Sequence, residues 1–481
     1  MISPSLHPAP VHAACERRRR WSFGLTGRSI GLLTAGFLLL IPGFWEAGLS
    51  YAMLFWDGLV LLAVLLDAVR LPAASQLSAT RAWSNAPALD SQTEIELSIE
   101  NGGRVMIRCR LVDDLPPALT ADPPVLRLIA FPRVPERLRY SVEPQERGDC
   151  ETGWLYIRYR SPLGLAERWA KANLAQPVRV YPVLRTTEEQ QIFLARSRQI
   201  DLQLRQARQR GLGRDFESLR EYREGDDLRD ICWTATARRG SLITRQYQTE
   251  RSQPVWIVLD CGRLMRSRVA AAAIPVARPA ESESDTVSVR LPRTHSKLDL
   301  ACSTAVALAQ LALYSGDRVG LLAYGQGIQQ RLLPGRGSDH LRQLIELLAQ
   351  VRSEASEADH LRATTVLNRL QPRRSLILWV TDLAESAMRP EVIDGAVQLL
   401  RRHVLLFVAM AQPEVEFLAR SRPKNIEQMF RSAAAQEMAG RRELLLARLH
   451  DQGALTLDLN PEALTSSVLN QYLTVKERAM V

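Results

Sequence analysis

The sequence predicts a multidomain protein with three architectures in series: an N-terminal transmembrane helical hairpin, an antiparallel β-sandwich and a doubly wound α/β domain. Three observations predict it. Residues 29–66 hold two apolar runs. Between Gln76 and Leu184 the apolar residues recur with a period of two. Beyond Val255, apolar strands alternate with helical stretches. At 481 residues the chain has material for several cores.

The hairpin rests on length and charge. Ser29 to Trp45 carries no charge and is rich in Leu, Ile and Phe. At ~1.5 Å per residue it reaches about 26 Å, close to the hydrocarbon thickness of a bilayer. Ala47 to Leu66 is a second apolar run, broken only by Asp57, and Glu46 lies in the short link. Arg17, Arg18, Arg19, Arg20 and Arg28 precede the first run, and Arg70 and Arg81 follow the second. Basic flanks stay on the cytoplasmic side. The expectation is a basic cytoplasmic N-terminus over 1–28 and a two-helix anchor over 29–69, with the bulk of the chain in the cytoplasm. A cleaved signal peptide needs a small-x-small site before the second run, and no convincing one stands there. Asp57 is expected near the outer interface or against the partner helix.

The sandwich is expected over 75–185. Glu94 to Glu100 alternates polar with apolar residues, and Asn101-Gly102-Gly103 turns the chain. Ile107, Cys109 and Leu111 then share one face, with Arg108 and Arg110 on the other. Leu155, Ile157 and Tyr159 repeat the pattern. Half-buried strands separated by turns indicate a sandwich of immunoglobulin-like type. Ser161-Pro162-Leu163-Gly164-Leu165 follows and reads as a turn, Pro setting φ and Gly relieving the bend.

Residues 186–253 read as a polar linker helix and a charged connecting segment. The α/β domain is expected over 254–481. Its strands are Val255–Asp260, Val319–Tyr324, Leu376–Thr381, Val404–Met410 and Leu455–Leu459, with helices between them. Such alternation requires a mainly parallel sheet covered on both faces. Residues 266–293, centred on Glu281-Ser282-Glu283-Ser284-Asp285, read as a flexible insertion after the first strand.

Composition narrows the function. The net charge of +10 comes from arginines interleaved with acids, as in Arg220-Glu221-Tyr222-Arg223-Glu224. No basic stripe carries the interleaved aromatics of a single-strand binder, so nucleic acid is not an expected partner. The cysteines lack C-x-x-C spacing and read as core residues in a reducing compartment. There is no H-E-x-x-H and no Gly-Lys-Ser/Thr after Gly211-Leu212-Gly213 or Gly335-Arg336-Gly337. The chain is therefore not expected to be an enzyme or to hydrolyse ATP.

The most distinctive stretch runs from Gly213-Arg214-Asp215-Phe216-Glu217 through Gly225-Asp226-Asp227-Leu228-Arg229 and Ile231-Cys232-Trp233 to Asp260. It resembles the signature of the bacterial family called domain of unknown function 58. Two readings apply to Arg220, Tyr222, Gly225, Asp226, Arg229, Trp233 and Arg238. In the first they form a salt-bridged interdomain clamp, with Trp233 plugging a core. In the second the arginines dock a partner's carboxylates.

The α/β alternation and the placement of Asp260 resemble a von Willebrand factor type A domain. That resemblance implies a metal-ion-dependent adhesion site holding Mg²⁺ through Asp-x-Ser-x-Ser, a Thr and a later Asp. Asp260 and Asp382 match the two acids. Gly262 and Leu264 stand where the serines belong, and Thr364 or Thr365 is the loosely aligned threonine. The competing reading has both acids capping helix N-termini. The family resemblance further implies a partner, a MoxR-type AAA+ ATPase. The chain would then be an adaptor in the bacterial cytoplasmic (inner) membrane that binds protein partners. The alternative is a Mg²⁺-dependent binding module acting without an ATPase.

Overall fold

The computed structural model of the chain describes residues 8–17, 23–37, 47–120, 122–183, 190–199, 215–223, 228, 231–248, 253–270, 294–383 and 391–478. The chain divides into two compact units, Met1–Val183 and Leu184–Val481.

The first unit is rich in strands: β1 (Val11–Arg17), β2 (Phe23–Leu25), β3 (Leu77–Trp83), β4 (Thr93–Asn101), β5 (Ile107–Asp113), β6 (Val125–Ala130), β7 (Pro135–Val142), β8 (Gly148–Thr152), β9 (Leu155–Arg160), β10 (Ala166–Ala172) and β11 (Gln176–Val180). Hydrogen bonds link them in the order β6-β5-β9-β10-β1-β3-β4-β7, with β2 beside β10 and β11 paired with β8. β1 joins the two halves: Val11–Ala14 pairs with β3, and Cys15–Arg17 pairs with β10. The halves close on one core containing Leu97, Ile99, Ile107, Leu111, Ile157 and Tyr159. The alternation expected in Glu94–Glu100 and at Ile107, Cys109 and Leu111 is the observed burial pattern.

Residues 11–17, expected inside a basic N-terminal tail, are instead a central strand. Its inward residues Val11, Ala13 and Cys15 are few and mostly small, and the adjoining arginine run masks their alternation. Arg81, expected as a cytoplasmic flanking charge, is fully buried. It pairs with Asp113 and donates to Thr152 Oγ1 and the Leu174 carbonyl, each at 2.8 Å, while Tyr140 donates to the same carboxylate. The pair is tolerated because its polar atoms are satisfied inside the fold.

Two helices leave this sheet between β2 and β3. They are α1 (Gly27–Phe37) and α2 (Ala47–Arg70). Among the described residues, one helix is long and apolar enough to cross a membrane, over Tyr51–Arg70 with mean hydropathy 2.1. One candidate span is thus shown where two were expected. Of the first run, residues 29–37 belong to α1, and residues 38–46 lie outside the described residues. The two helices touch: Trp56 Nε1 donates to the Leu32 carbonyl at 3.0 Å. Asp57 lies against Gly36, where any side chain would collide with it. The expectation that Asp57 faces a neighbouring helix is met there.

The second unit begins with α3 (190–199), part of the expected linker helix. Its Arg196 bonds Asn470 at 2.7 Å and Glu477 at 3.1 Å, so it is docked rather than free. A separate two-stranded ribbon follows, β12 (Asp215–Glu221) with β13 (Ile243–Gln248), and α4 (Trp233–Arg239) between them. The main elements are β14 (Pro254–Asp260), β15 (Arg268–Ala270), β16 (Thr294–Ser296), α5 (Lys297–Tyr314), β17 (Arg318–Tyr324), β18 (Ile328–Gly335), α6 (Gly337–Gln350), α7 (His360–Leu370), β19 (Leu376–Thr381), α8 (Glu391–Leu400), β20 (Val404–Met410), α9 (Pro413–Arg420), α10 (Ile426–Asp451), β21 (Leu455–Leu459) and α11 (Leu464–Glu477).

Six strands form one sheet in the order β18-β17-β14-β19-β20-β21. All neighbours are parallel except β18, which returns antiparallel along β17 at the edge. Trp256, Val258, Tyr324, Trp379 and Phe407 point to one face and pack with residues of α7, α8 and α10. α5 packs on β14 and β17, with α11 against it. Buried on both faces, β14, β19 and β20 are nearly continuous apolar runs, as such strands must be. The expected insertion is narrower than 266–293. Arg268–Ala270 pairs with Thr294–Ser296, and residues 271–293 lie outside the described residues.

Candidate functional site

In open sheets of this kind, sites gather at the carboxyl ends of the central strands. β14 ends at Asp260 and β19 ends at Thr381, with Asp382 next. Both predicted acids are there and both are buried. Their partners come from the protein itself. Asp260 Oδ1 accepts from the Gly262 amide at 2.7 Å, and Oδ2 accepts from the Thr381 hydroxyl at 2.6 Å. Asp382 Oδ2 accepts from Lys297 Nζ at 2.5 Å and from Gln412 Nε2 at 3.1 Å; Oδ1 accepts from Arg442 at 3.1 Å.

Lys297 was not visible as a site residue. It opens α5 directly after Ser296, whose hydroxyl accepts from the Asp299 amide at 3.1 Å in a capping box. Its side chain is 1% exposed and also donates to the Met410 carbonyl at 3.3 Å. Arg442, from the middle of α10, bridges Asp382 and Asp458. Burial drives the Lys297 ammonium below its ordinary pKa, with Asp382 opposing. Burial also raises the Asp260 carboxyl, while His360 and the bonds from Thr381 and Gly262 oppose the rise.

A Mg²⁺ ion does not fit these residues. It requires several oxygen ligands around one point. Here a buried ammonium already holds the Asp382 oxygen. No group of three or more His, Cys, Asp or Glu side chains able to hold a metal occurs among the described residues. Thr364 and Thr365 spend their hydroxyls on the Leu361 carbonyl, at 3.0 and 2.8 Å. A serine cannot simply replace Gly262, since a Cβ there would stand 2.9 Å from the Ala358 nitrogen. The alternative, two acids capping helix N-termini, is also only partly right. Asp260 accepts the Gly262 amide ahead of a single 3₁₀ turn, Arg263–Arg266.

Behind Asp260 runs a polar chain. Trp379 Nε1 donates to the Tyr324 hydroxyl at 2.7 Å, and that hydroxyl shares a 2.9 Å hydrogen bond with His360 Nδ1. All three residues are buried, and desolvation keeps His360 below its ordinary pKa. The arrangement rigidifies the strand ends and presents no exposed nucleophile–base pair.

The signature segment is only partly described. Gly225, Asp226 and Arg229 lie outside the described residues. Tyr222 donates its amide to the Leu242 carbonyl at 2.8 Å and so seals the ribbon. Arg220 donates to the carbonyl of its neighbour Glu221. Trp233 is not a core plug: it is 67% exposed on α4, with Arg238 exposed on the same short helix. Its bulk suggested burial, but α4 buries none of its residues.

A second set of apolar groups lies outside the core. α9 and α10 pack as a helical pair directly after β20. Phe417, Ile426, Phe430 and Leu444 on them are 74%, 72%, 67% and 62% exposed.

Fold and site together define a multidomain protein with one candidate membrane helix, a β-rich first unit and an α/β second unit whose strand-end charges are neutralised internally. Part of the second unit matches one family model. The profile described as "Protein of unknown function DUF58" matches residues 218–273 and 281–419. Uncharacterized proteins of Mycobacterium bovis and Mycobacterium tuberculosis are 24% identical over 207 residues, which is 42% of this chain and 56% of theirs. The chain thus spans about half the length of the curated relatives it matches. Two solved structures are similar at a distance. A conserved hypothetical protein BatB from Bacteroides thetaiotaomicron shows 14% identity and a TM-score of 0.27, covering 47% of this chain and 100% of that one. An uncharacterized membrane-spanning protein from Vibrio fischeri shows 12% identity and a TM-score of 0.16, covering 46% and 96%. Likenesses at this level carry no functional argument.

Proposed function

We propose that this chain is a membrane-anchored adaptor of the bacterial cytoplasmic membrane, with both units in the cytoplasm. It binds protein partners and leaves ATP chemistry to a MoxR-type AAA+ ATPase. In this reading the first unit is an immunoglobulin-like spacer, and the second is a von Willebrand A-like recognition domain that works without metal.

The observation that carries the anchor is a strand pairing. β1 precedes the apolar helices and β3 follows them, yet Val11 pairs with Arg81 and Ala14 with Ser78 in one sheet. A chain that enters and leaves through one sheet crosses the bilayer an even number of times. If α2 spans, α1 and the residues after it must bring the chain across as well. The contact of Trp56 and Asp57 with α1 supports such a pair.

The adaptor role is supported by the exposed apolar face of α9 and α10, rooted at the sheet's carboxyl edge by Arg442. Exposed aromatic and aliphatic residues of this kind mark interaction surfaces.

Tagged full-length protein is purified from native membranes with and without a non-hydrolysable ATP analogue, and bound proteins are identified by mass spectrometry. The expected result is an AAA+ ATPase recovered only with the analogue, and its loss from the Phe417→Asp/Phe430→Asp variant. No ATPase under either condition overturns the adaptor reading. Alkaline carbonate releasing the protein from membranes overturns the anchor.

A further inference from the structure

The outer face of the sheet formed by β6, β5, β9 and β10 carries an arginine ladder. Arg108 and Arg110 of β5, Arg127 of β6 and Arg158 and Arg160 of β9 are all exposed on it. The register sets them directly against each other: Arg108 faces Arg160, and Arg110 faces both Arg158 and Arg127. Like charges opposite one another across strands repel. One acid answers them from β10: Glu167 lies 2.7 Å from Arg158 and 4.0 Å from Arg160. Arg108, Arg110 and Arg127 have no carboxylate partner among the described residues. With Arg28 at the start of α1, these arginines line an open cleft of about 520 Å³.

The position of the ladder is as informative as its charge. Arg160 runs directly into the Ser161–Leu165 turn, and that turn is the seat of the apolar helices. Asp67, in the last turn of α2, accepts the Leu165 and Ala166 amides at 3.1 and 3.0 Å. Thr26, one residue before α1, donates its hydroxyl to the Gly164 carbonyl at 2.6 Å. Arg28 donates to the Leu163 carbonyl. Arg168 donates to the Ala68 carbonyl at 2.9 Å, at the carboxyl end of α2. Arg28, Arg108 and Arg160 therefore lie in the row next to the feet of the helices. Arg110, Arg127 and Arg158 lie about 7 Å further along the strands. Phe23, Leu25 and Leu163, beside the same turn, expose apolar side chains.

We propose that this face binds the phosphate of an anionic phospholipid headgroup. Paired guanidinium forks match phosphate oxygens, and a basic surface beside a spanning helix meets the negatively charged leaflet. The ligand relieves the repulsion built into the ladder and fixes the first unit against the membrane surface. The assignment rests on the anchor reading above.

Full-length protein in neutral detergent is the test system. Native mass spectrometry compares retention of added phosphatidylglycerol with that of phosphatidylcholine. The wild type retains phosphatidylglycerol selectively. Arg108→Gln/Arg160→Gln lowers that retention about tenfold or more, and Arg331→Gln, an exposed arginine of β18, leaves it unchanged. If the double variant does not fold by circular dichroism, the exposed and unpaired Arg110 is tested alone as Arg110→Gln. Equal retention by the ladder variants overturns the proposal. So does displacement of the lipid by inorganic phosphate or by a short single-stranded oligonucleotide, which would make the face a general anion or nucleic-acid site. Release by alkaline carbonate with headgroup selectivity intact would instead sink the anchor alone.

Discussion

The ammonium of Lys297 lies 2.5 Å from an Asp382 oxygen, and both side chains are buried at the carboxyl edge of the sheet. Three donors converge on that carboxylate, from the start of α5, the loop after β20 and the middle of α10. A charge that the type A resemblance assigns to Mg²⁺ is thus met by two covalently attached cations. The consequence is a site whose integrity does not depend on a divalent ion.

Removing Lys297 should expose this. Lys297→Met leaves a buried carboxylate one cation short and should cost about 3 kcal/mol or more in thermal or denaturant unfolding. Lys297→Met/Asp382→Leu should cost less than the sum of its parts, because it removes both charges together. The wild type should unfold at the same temperature with millimolar Mg²⁺ or with EDTA. A rise in Tm with Mg²⁺ would refute the internal-cation account.

Gly262→Ser restores the serine of the metal-site motif without creating the site. Its Cβ would meet the Ala358 nitrogen at 2.9 Å. The loop before α7 has to shift, so a loss of roughly 1–3 kcal/mol is expected, with no gain in Mg²⁺ binding by titration calorimetry. A variant that binds Mg²⁺ and is as stable as the wild type would contradict this.

Asp67 sits near the carboxyl end of α2, where the helix dipole disfavours an acid. It is kept there by the amides of Leu165, which ends the Ser161–Leu165 turn, and of Ala166, which begins β10. Asp67→Ala should free both amides and loosen the turn, costing about 2–3 kcal/mol. Limited proteolysis should then cut near Gly164 first. Asp67→Asn, which keeps one acceptor oxygen, should retain part of the protection.

The pH dependence has a definite sign. Burial lowers the pKa of His360 and of His403 from the usual 6.5, with Arg402 adding to the effect at His403. The unfolded chain therefore takes up protons that the folded chain refuses. Their contribution is complete above the unfolded value of 6.5 and is lost as pH falls from there towards the folded values. Asp260, whose carboxyl is raised, works in the opposite direction: stability grows as pH falls through its folded value towards 3.8. His403 Nδ1 bonds Ser375 at 2.9 Å, and Nε2 has no partner, so nothing there holds a second proton. His403→Gln should flatten the fall in Tm between neutrality and about pH 5. An unchanged slope would remove His403 from the account.

Much of the architecture was legible in order along the chain. Val255–Asp260, Leu376–Thr381 and Val404–Met410 are apolar over their whole length because both faces of the sheet are covered, and such runs stand out. The alternation at Ile107, Cys109 and Leu111 marks a strand with one wet face. Asp260 and Asp382 were found because strand ends in such sheets are predictable places. What those acids do was not legible. The main partners of Asp382 (Lys297 and Arg442) lie 85 and 60 residues away, and Thr381 lies 121 residues from Asp260; sequence spacing holds no record of a bond closed by folding. Trp233 shows the same limit in reverse, since its bulk implied burial and its side chain is exposed.

The sequence by itself determined local matters: the apolar strands from Val255 onwards, the apolar run of α2, and the alternating faces of β4, β5 and β9. These follow from side-chain periodicity and backbone propensity within a few residues. The tertiary structure alone decided that Val11–Arg17 closes the first sheet, that Asp67 seats the helix on the Ser161–Leu165 turn, and that arginines from three strands stand side by side. Each of those depends on register and on long-range closure. A shift of one residue in any strand would turn every one of those side chains to the other face.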